Sequence, residues 1–217
     1  MSTKDLPCRL AVLAAVSVVL SACGRAPQTA ATGTLTPAGG GKELPVLVTL
    51  PPFALTDHLG QSFGTGQLAG KFWIGNFIFT RCVATCPAQT ANLGALRKRL
   101  EELPGGADVQ LVSITVDPDY DTPEVLAAYA DQAGADSEHW RFLTGSRENI
   151  WKLCKTGFKL AVADAPPEAN TLVLHSDRFI LVDRQGRIRG FFEGTTEEGI
   201  AATYAGLQQM LEQESSP

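Results

Sequence analysis

The stretch Phe72-Trp-Ile-Gly-Asn-Phe-Ile-Phe79 is apolar at nearly every position, and it leads directly into Thr80-Arg-Cys-Val-Ala-Thr-Cys-Pro87. An apolar run of this length is typical of a strand that is buried on both faces of a sheet. After Cys86 the apolar period becomes that of a helix, and Pro87 suits a first helical turn. The sequence therefore predicts a buried strand that ends at two cysteines and gives way to a helix.

The segments around this unit alternate between strands and helices. The predicted elements are a hairpin at 53–63, strands at 109–116 and 140–143, helices beginning after Thr122 and Ser146, a hairpin at 178–192 and a final helix at 196–212. Residues 161–170, which contain Pro166-Pro167, predict an irregular loop. This order predicts an α/β fold with a thioredoxin-like core: a central mixed β-sheet flanked by helices, with an N-terminal hairpin.

The N-terminal part of the chain differs in composition from the rest. Residues 1–22 have a basic start and a short apolar run that ends in Leu20-Ser-Ala-Cys23, which resembles a bacterial lipobox. We therefore predict a lipoprotein signal peptide at 1–22, a lipidated flexible tether at 23–43 that begins at Cys23, and a globular domain at 44–217. The protein would be exported and lipid-anchored to a bacterial membrane, facing the periplasm or the cell exterior. The alternative is an ordinary signal peptide, or a short membrane anchor, with an incidental cysteine.

Composition and charge limit the classes of function. A chain of 217 residues with 44% hydrophobic residues can bury one sizeable core. The net charge of -5 and the absence of a Lys/Arg-rich stripe argue against a nucleic-acid partner. Removal of the signal peptide and lipidation of Cys23 would leave three cysteines with free chemistry: Cys82, Cys86 and Cys154. This odd count disfavours a purely structural disulfide framework.

The spacing of Cys82 and Cys86 suits reactive chemistry. Both thiols are predicted at the carboxyl edge of the sheet, where a helix N-terminus stabilises thiolate and should lower the pKa of Cys86 in particular. A separation of four residues is about one helical turn, so both sulfur atoms could bind one metal ion or form a disulfide. A structural disulfide is the alternative, but we favour a surface-accessible reactive pair because so short a loop constrains the unfolded chain little.

Two thiolates seldom complete a metal site, so a histidine is the first candidate for a third ligand. His175 follows the strand-like residues 172–174. On the residues alone, a structural role is the better interpretation of His175. His58 and His139 are expected to be solvated or packed, and Cys154 is expected to be a buried free thiol. Asp117, which precedes a proline, could lie near the site, but a turn is the favoured interpretation.

Several segments together resemble the Sco/SenC family of copper proteins, over about residues 44–212. The segments that carry the resemblance are Phe77-Ile-Phe-Thr-Arg-Cys-Val-Ala-Thr-Cys-Pro87, Ser113-Ile-Thr-Val-Asp-Pro-Asp-Tyr-Asp-Thr-Pro-Glu124, Trp140-Arg-Phe-Leu-Thr-Gly-Ser146, His175-Ser176 and Ile180-Leu-Val-Asp-Arg-Gln-Gly186. The resemblance implies a thioredoxin-like fold. It also implies that Cys82, Cys86 and His175 bind copper, as Cu(I) or Cu(II).

The resemblance implies a copper(I) metallochaperone that delivers copper to the dinuclear copper centre of cytochrome c oxidase. The partner would then be the copper-receiving subunit of a respiratory oxidase, or another copper protein, with the membrane reached through the lipid anchor. A chaperone requires no catalytic turnover. The alternative is a thiol-disulfide oxidoreductase in which Cys82 and Cys86 are the redox-active pair and reduce the cysteines of the oxidase copper site or of another exported partner.

Two positions depart from the usual pattern of the family. Residues 83–85 are Val-Ala-Thr, where relatives usually have an acidic residue, and Leu174 replaces the aspartate that often precedes the histidine. Neighbouring groups tune metal affinity and redox poise, so these departures bear on both quantities more than on ligand identity. Two other readings fit less well. A peroxiredoxin-like peroxidase would require a Thr-x-x-Cys spacing that Thr80 and Cys82 lack, and a structural lipoprotein leaves the paired thiols unexplained.

Overall fold

The computed structural model describes residues 43–166, 169 and 171–215. Leu44, at the predicted start of the domain, is buried. The predicted signal peptide, the lipidation of Cys23 and nearly all of the predicted tether lie outside the described residues and stay predictions. In the described part of the chain, no helix combines the length and the apolar character that crossing a membrane requires.

The described residues form ten strands and five α-helices. The strands are β1 Val48–Thr49, β2 Ala54–Asp57, β3 Ser62–Gly64, β4 Trp73–Ile78, β5 Gln110–Thr115, β6 Trp140–Thr144, β7 Val162–Asp164, β8 Val173–His175, β9 Arg178–Val182 and β10 Arg187–Glu193. The helices are α1 Thr65–Leu68, α2 Cys86–Leu100, α3 Pro123–Gln132, α4 Arg147–Lys152 and α5 Glu197–Ser215, with a 3-10 turn at Gly106–Asp108 and a π-helical turn at Leu153–Gly157.

One mixed sheet organises the domain. Its strand order is β1-β10-β9-β4-β5-β6-β2-β3, in which β4, β5 and β6 run parallel and the other pairs run antiparallel. Helix α5 packs against β9 and β10, and α3 packs against β6. A mixed sheet with flanking helices and a hairpin contributed by the N-terminal part of the domain confirms the predicted thioredoxin-like α/β fold.

The core lies where the apolar runs of the sequence placed it. Strands β4 and β5 are buried at every position. Phe77 of β4 meets Phe158 edge-to-face, with ring centroids 5.1 Å apart. Each fully buried side chain of this size contributes about 1.5–3 kcal/mol through removal of apolar surface from water. The central strands therefore give the sheet a rigid frame on which the loops at its edges are held.

Local signals set the element boundaries as predicted. The Thr122 hydroxyl accepts a hydrogen bond from the Val125 N–H at the start of α3, and the Ser146 hydroxyl accepts one from the Asn149 N–H at the start of α4. Gly186 has a φ of 72° in the turn between β9 and β10, a conformation that favours glycine. These contacts confirm the predicted helix starts and the last hairpin.

The region predicted as an irregular loop, 161–170, contains a strand. Strand β7 pairs antiparallel with β8, with Val162 opposite His175, and the two form a separate two-stranded sheet. Only Val162 of β7 is buried, so three residues carry too little alternation to predict a strand. The correction matters because β8 is the strand that carries His175.

Candidate metal centre

The two cysteines lie where β4 ends and α2 begins. The chain leaves β4 after Ile78, and the Cys82 N–H donates a hydrogen bond to the Phe79 carbonyl, 3.1 Å away. Cys86 is the first residue of α2, and Pro87 follows it in the first turn, as predicted. The parallel strands β4 and β5 both end at this edge of the sheet, so the edge collects the loops that follow each of them.

The sulfur of Cys82 lies against the free amides of the helix start. The N-cap residue Thr85 makes no capping hydrogen bond through its side chain, and the backbone N–H groups of Ala84, Thr85 and Cys86 instead act on the Cys82 sulfur. Burial by itself would raise the pKa of Cys82, but these amides and the Cys86 thiol outweigh it and lower the pKa from its ordinary value. Cys82 therefore has the thiolate character of the pair.

Cys86 has the opposite character. The prediction that its pKa would be lowered in particular is wrong, because burial and the hydrogen bond with the Cys82 thiol raise the pKa of Cys86 well above its ordinary value. Its side chain is 1% exposed, so its charged form loses most of its solvation. The helix N-terminus stabilises a thiolate as predicted, but it stabilises the one at Cys82.

The prediction of a surface-accessible pair is also wrong, since Cys82 is 9% exposed and Cys86 1%. Access to Cys82 runs through a surface cavity of about 260 Å³ that it lines together with Val83 and Leu172. A larger cavity of about 570 Å³ lies between α2 and α3 and touches neither thiol nor His175. The smaller cavity is therefore the one that reaches Cys82.

The antiparallel strand β9 brings His175 to the same edge. Ile180 pairs with Gly75 and Val182 pairs with Trp73, so the chain before β9 lies near the end of β4. His175, at the end of β8, thereby meets Cys86: its Nε2 atom lies 3.6 Å from the Cys86 Sγ atom. Two side chains separated by 89 positions in the sequence are in direct contact.

The protonation of His175 follows from its second ring nitrogen. Nδ1 lies 2.9 Å from the Ser176 carbonyl oxygen, which can only accept, so Nδ1 donates and Nε2 keeps its lone pair. Burial lowers the pKa of His175 and outweighs the opposing effects of the Ser176 carbonyl and of Asp177. The ring is therefore neutral near pH 7 and presents a lone pair toward the Cys86 sulfur. A backbone carbonyl that fixes the tautomer in this way is common behind metal-binding histidines.

The three predicted ligands are not yet arranged as a closed cluster. Within the described ranges, no three His, Cys, Asp or Glu side chains form a group that could hold a metal ion. Cys82 and Cys86 are free thiols that interact with each other, and Cys86 contacts His175. The donor set of two sulfurs and one imidazole nitrogen nevertheless fits a soft, low-coordinate metal ion.

The other candidates behave as expected. Cys154 is a fully buried free thiol whose pKa burial raises to about 12. His58 is buried and bonds to Ser137, and His139 bonds to Asp136 at the surface. These residues lie apart from the pair of cysteines in the fold and show no contact with it.

Two aspartates of the loop that follows β5 hold the residues before Cys82. Asp117 accepts hydrogen bonds from the Arg81 guanidinium at 2.6 and 3.2 Å, and its carbonyl accepts from Tyr120, so the predicted turn is present as well. Asp121 accepts from Thr80 and was missed by reasoning from sequence. The available signal was its position four residues after Asp117, in a loop predicted at the same edge of the sheet.

The site combines a strand end, two cysteines at a helix N-terminus and a histidine that is distant in the sequence, all on one mixed sheet. This arrangement defines a thioredoxin-like protein with a thiol–imidazole site. The model of the family described as SCO1/SenC matches residues 43–212. The chain belongs to the SCO1/SenC family.

The solved structures that resemble the chain include three from this family. A SCO1/SenC family lipoprotein from Bacillus anthracis is 36% identical with a TM-score of 0.68, over 76% of this chain and 94% of the other. BsSco, described as a member of the Sco family of cytochrome c oxidase assembly proteins with a disulfide switch, is 28% identical with a TM-score of 0.66, over 81% and 98%. Yeast Sco1 with copper bound is 27% identical with a TM-score of 0.62, over 79% and 91%.

Proposed function

We propose that this chain is a copper(I) metallochaperone that binds one ion through Cys82, Cys86 and His175. The observation that carries the proposal is the 3.6 Å contact between Cys86 Sγ and the His175 Nε2 atom, whose lone pair points at the sulfur. His58, in contrast, uses its ring nitrogens on the Ser137 hydroxyl and the Phe142 N–H, neither of which is a ligand for a soft metal ion, whereas the partner of His175 Nε2 is a thiol.

The donor set favours copper(I) over the harder divalent ions. Thiolate is a soft ligand, and two thiolates with one imidazole suit copper(I). Yeast Sco1, which shares the family and fold, has been solved with copper bound. Three protein ligands also leave the ion open to a fourth ligand, so a partner can take the metal by exchanging ligands one at a time. Copper is the cargo of the chain in this scheme, and the chain needs no catalytic turnover.

Cys86 connects the other two candidate ligands. Its thiol interacts with the Cys82 thiol, and its sulfur lies 3.6 Å from the His175 Nε2 atom. We therefore treat Cys86 as the ligand that links Cys82 to His175. Metal binding requires both thiols to lose their protons, so copper uptake should release protons and weaken as the pH falls.

The proposed recipient is the dinuclear copper centre of cytochrome c oxidase. Support comes from BsSco, a relative described as belonging to a family of cytochrome c oxidase assembly proteins. Such delivery places the chain outside the cytoplasm, held at the membrane through lipidated Cys23. The lipoprotein from Bacillus anthracis supports this location.

A second candidate is a thiol-disulfide oxidoreductase, which the lowered pKa of Cys82 favours. The Cys82 thiolate would attack a partner disulfide and release one partner thiolate. Cys86 would then lose its proton and attack the Cys82 sulfur, which releases the second partner thiol and leaves a Cys82–Cys86 disulfide. His175 Nε2 lies where it can accept the Cys86 proton. Two electrons pass from the chain to the partner.

A competition titration with a copper(I) chelator separates the two functions. The full chain is used in detergent with Cys8→Ser and Cys23→Ser in every variant, so that the remaining thiols are Cys82, Cys86 and Cys154. We expect one tightly bound copper(I) per chain, weakened by Cys82→Ser and by His175→Ala. Cys154→Ser is the matched control, because it removes a buried free thiol elsewhere in the fold.

Two results would decide against the chaperone. The first is copper binding that His175→Ala leaves unchanged. The second is a chain that binds no copper but reduces an oxidised partner at the same rate with or without His175. Delivery itself is measured by mixing the loaded chain with the metal-free copper domain of an oxidase subunit and following the transfer of copper.

A further inference from the structure

Asp121 is fully buried at the edge of the sheet that carries the cysteines. Its Oδ1 atom accepts a hydrogen bond from the Thr80 hydroxyl at 2.5 Å, and its Oδ2 atom accepts one from the Thr80 N–H at 3.1 Å. The Thr115 hydroxyl, at the end of β5, donates to the same Oδ2 atom. One carboxylate thus ties the ends of two neighbouring strands together, immediately before the CxxxC segment.

We infer that Asp121 is a positioning residue that sets the place of the Cys82 sulfur through Thr80. This inference deepens the proposed function and rests on it for its copper readout. Asp121 acts on the site through the backbone, since its bonds go to Thr80 and Thr115 and not to a cysteine.

The backbone at Thr80, between β4 and α2, is not held by strand pairing. The last pairs between β4 and β5 are Ile78 with Thr115 and the Val116 N–H with the Ile78 carbonyl, so Thr80 lies beyond the ladder. Asp121 accepts hydrogen bonds from both the N–H and the hydroxyl of Thr80, which lies two residues before Cys82. Cys82 is then held between this anchor and the first amides of α2.

The contact suits a carboxylate. One N–H and two hydroxyls converge on its two oxygens, and a carboxylate accepts at both, whereas an amide would accept at one atom only and would have to reverse the hydrogen bond with the Thr80 hydroxyl. In the described residues Asp121 forms no ion pair, because the nearby Arg81 pairs with Asp117. Burial raises its pKa, partly offset by the Thr115 and Thr80 bonds. A buried carboxylate without a cation is costly, so simple stability does not account for it.

Asp183 provides a matched contrast. It is also a buried aspartate that accepts several hydrogen bonds, but its partners include the guanidinium groups of Arg187 and Arg189 and it lies at the opposite edge of the sheet. Its replacement should therefore weaken the fold without reaching Cys82. Asp183→Asn separates a general loss of stability from a loss of positioning.

The test uses the full chain in detergent, with the Cys8→Ser and Cys23→Ser background in every variant. Asp121→Asn removes an acceptor, Thr80→Val removes one donor and keeps the shape of the side chain, and Thr80→Ser restores the hydroxyl. Two quantities are measured: the copper(I) dissociation constant, and the amide proton shifts of Ala84, Thr85 and Cys86 in the metal-free, reduced protein. The second readout needs no copper and reports the hydrogen bonds to the Cys82 sulfur.

We expect Asp121→Asn and Thr80→Val to weaken copper(I) binding by about tenfold or more, the usual effect of removing a supporting contact behind a ligand. The same variants should move all three amide protons upfield, and Thr80→Ser should restore both quantities. Asp183→Asn should lower the urea midpoint and change neither quantity.

The inference is overturned if Asp121→Asn and Thr80→Val leave the three amides unmoved, or if Asp183→Asn moves them as much. If Asp121→Asn fails to fold, the comparison of Thr80→Val with Thr80→Ser decides whether the positioning role holds. A wild-type chain that binds no copper contradicts the proposed function. The amide shifts of the metal-free protein would still confirm or overturn the positioning role.

Discussion

Two edges of the same sheet handle buried polar groups in different ways. At the edge where β9 turns into β10, Asp183 pairs with Arg187 and Arg189, and Arg189 also bonds to Glu43 and to the Leu44 carbonyl. At the edge where β4 ends, the polar groups are two buried thiols, a half-buried neutral imidazole and two buried aspartates, of which Asp117 pairs with Arg81 and Asp121 forms no ion pair among the described residues. At the first edge, cations neutralise the buried carboxylate. The second edge keeps sulfur and nitrogen atoms that can still bind a metal ion.

The difference indicates where structural stability and binding capacity lie in this fold. Fully satisfied charges fix the N-terminal segment to β10, which is a structural task. The sulfur and imidazole nitrogen atoms at the end of β4 supply ligands for a soft metal ion, which is a binding task. If this division holds, substitutions at the two edges should affect different measurements.

The largest effect is expected for Cys86→Ser. Metal binding by thiolate and imidazole ligands contributes roughly 3–4 kcal/mol per ligand, so copper(I) affinity should fall by about a thousandfold. The competition titration measures the loss, and the unfolding midpoint in urea should change much less. A Cys86→Ser chain that retains copper(I) within the error of the titration would remove Cys86 from the ligand set.

Asp183→Ala should produce the next largest effect, at the other edge. Removing one partner of a buried ion pair is destabilising, and since Arg189 keeps the exposed carboxylate of Glu43 as a counter-charge, we expect a loss of about 3 kcal/mol, at the low end of the usual range. Urea unfolding measures this loss, and copper(I) affinity of the folded fraction should equal that of the wild type. A comparable fall in copper affinity would mean that the two edges are coupled.

The two buried thiols Cys82 and Cys154 should differ in reactivity. Cys82 has a pKa below the ordinary 9.0, and Cys154 has a pKa of about 12. Allowing for the lower nucleophilicity of the more acidic thiol, alkylation at pH 7.5 should be at least about thirtyfold faster at Cys82. Timed labelling with iodoacetamide and peptide fragmentation measures both rates. Labelling of Cys86 or Cys154 ahead of Cys82 would contradict this assignment.

The smallest expected effect is on the pH dependence of stability in the metal-free chain. Because the folded pKa of His175 is lowered, the unfolded chain binds more protons, so this contribution is present above about pH 6.5 and is lost as the pH falls below it. His175→Gln should therefore lose less stability than the wild type between pH 7.5 and 5.5. His58, whose pKa is also lowered, is present in both chains and cancels. Parallel curves for the two chains would contradict the prediction.

The sequence was sufficient to predict the fold, and it nominated Cys82, Cys86 and His175 as ligands, which stays a prediction. The apolar run of β4 and the change of period at Cys86 placed both cysteines at a strand end, and the family resemblance singled out His175. The pKa order of the cysteines was out of reach, because it depends on which sulfur faces the amides of residues 84–86. Asp121 was missed because its partners, Thr80 and Thr115, belong to different strands and meet only in the folded sheet.

The most direct test of the proposed site is X-ray absorption at the copper edge of the copper(I)-loaded full chain, carrying Cys8→Ser and Cys23→Ser. We predict two sulfur ligands and one imidazole nitrogen, with the nitrogen contribution lost in His175→Ala and one sulfur lost in Cys82→Ser. A coordination sphere of sulfur alone in the wild type, or one that His175→Ala leaves unchanged, would contradict the proposal that Cys82, Cys86 and His175 hold the metal together.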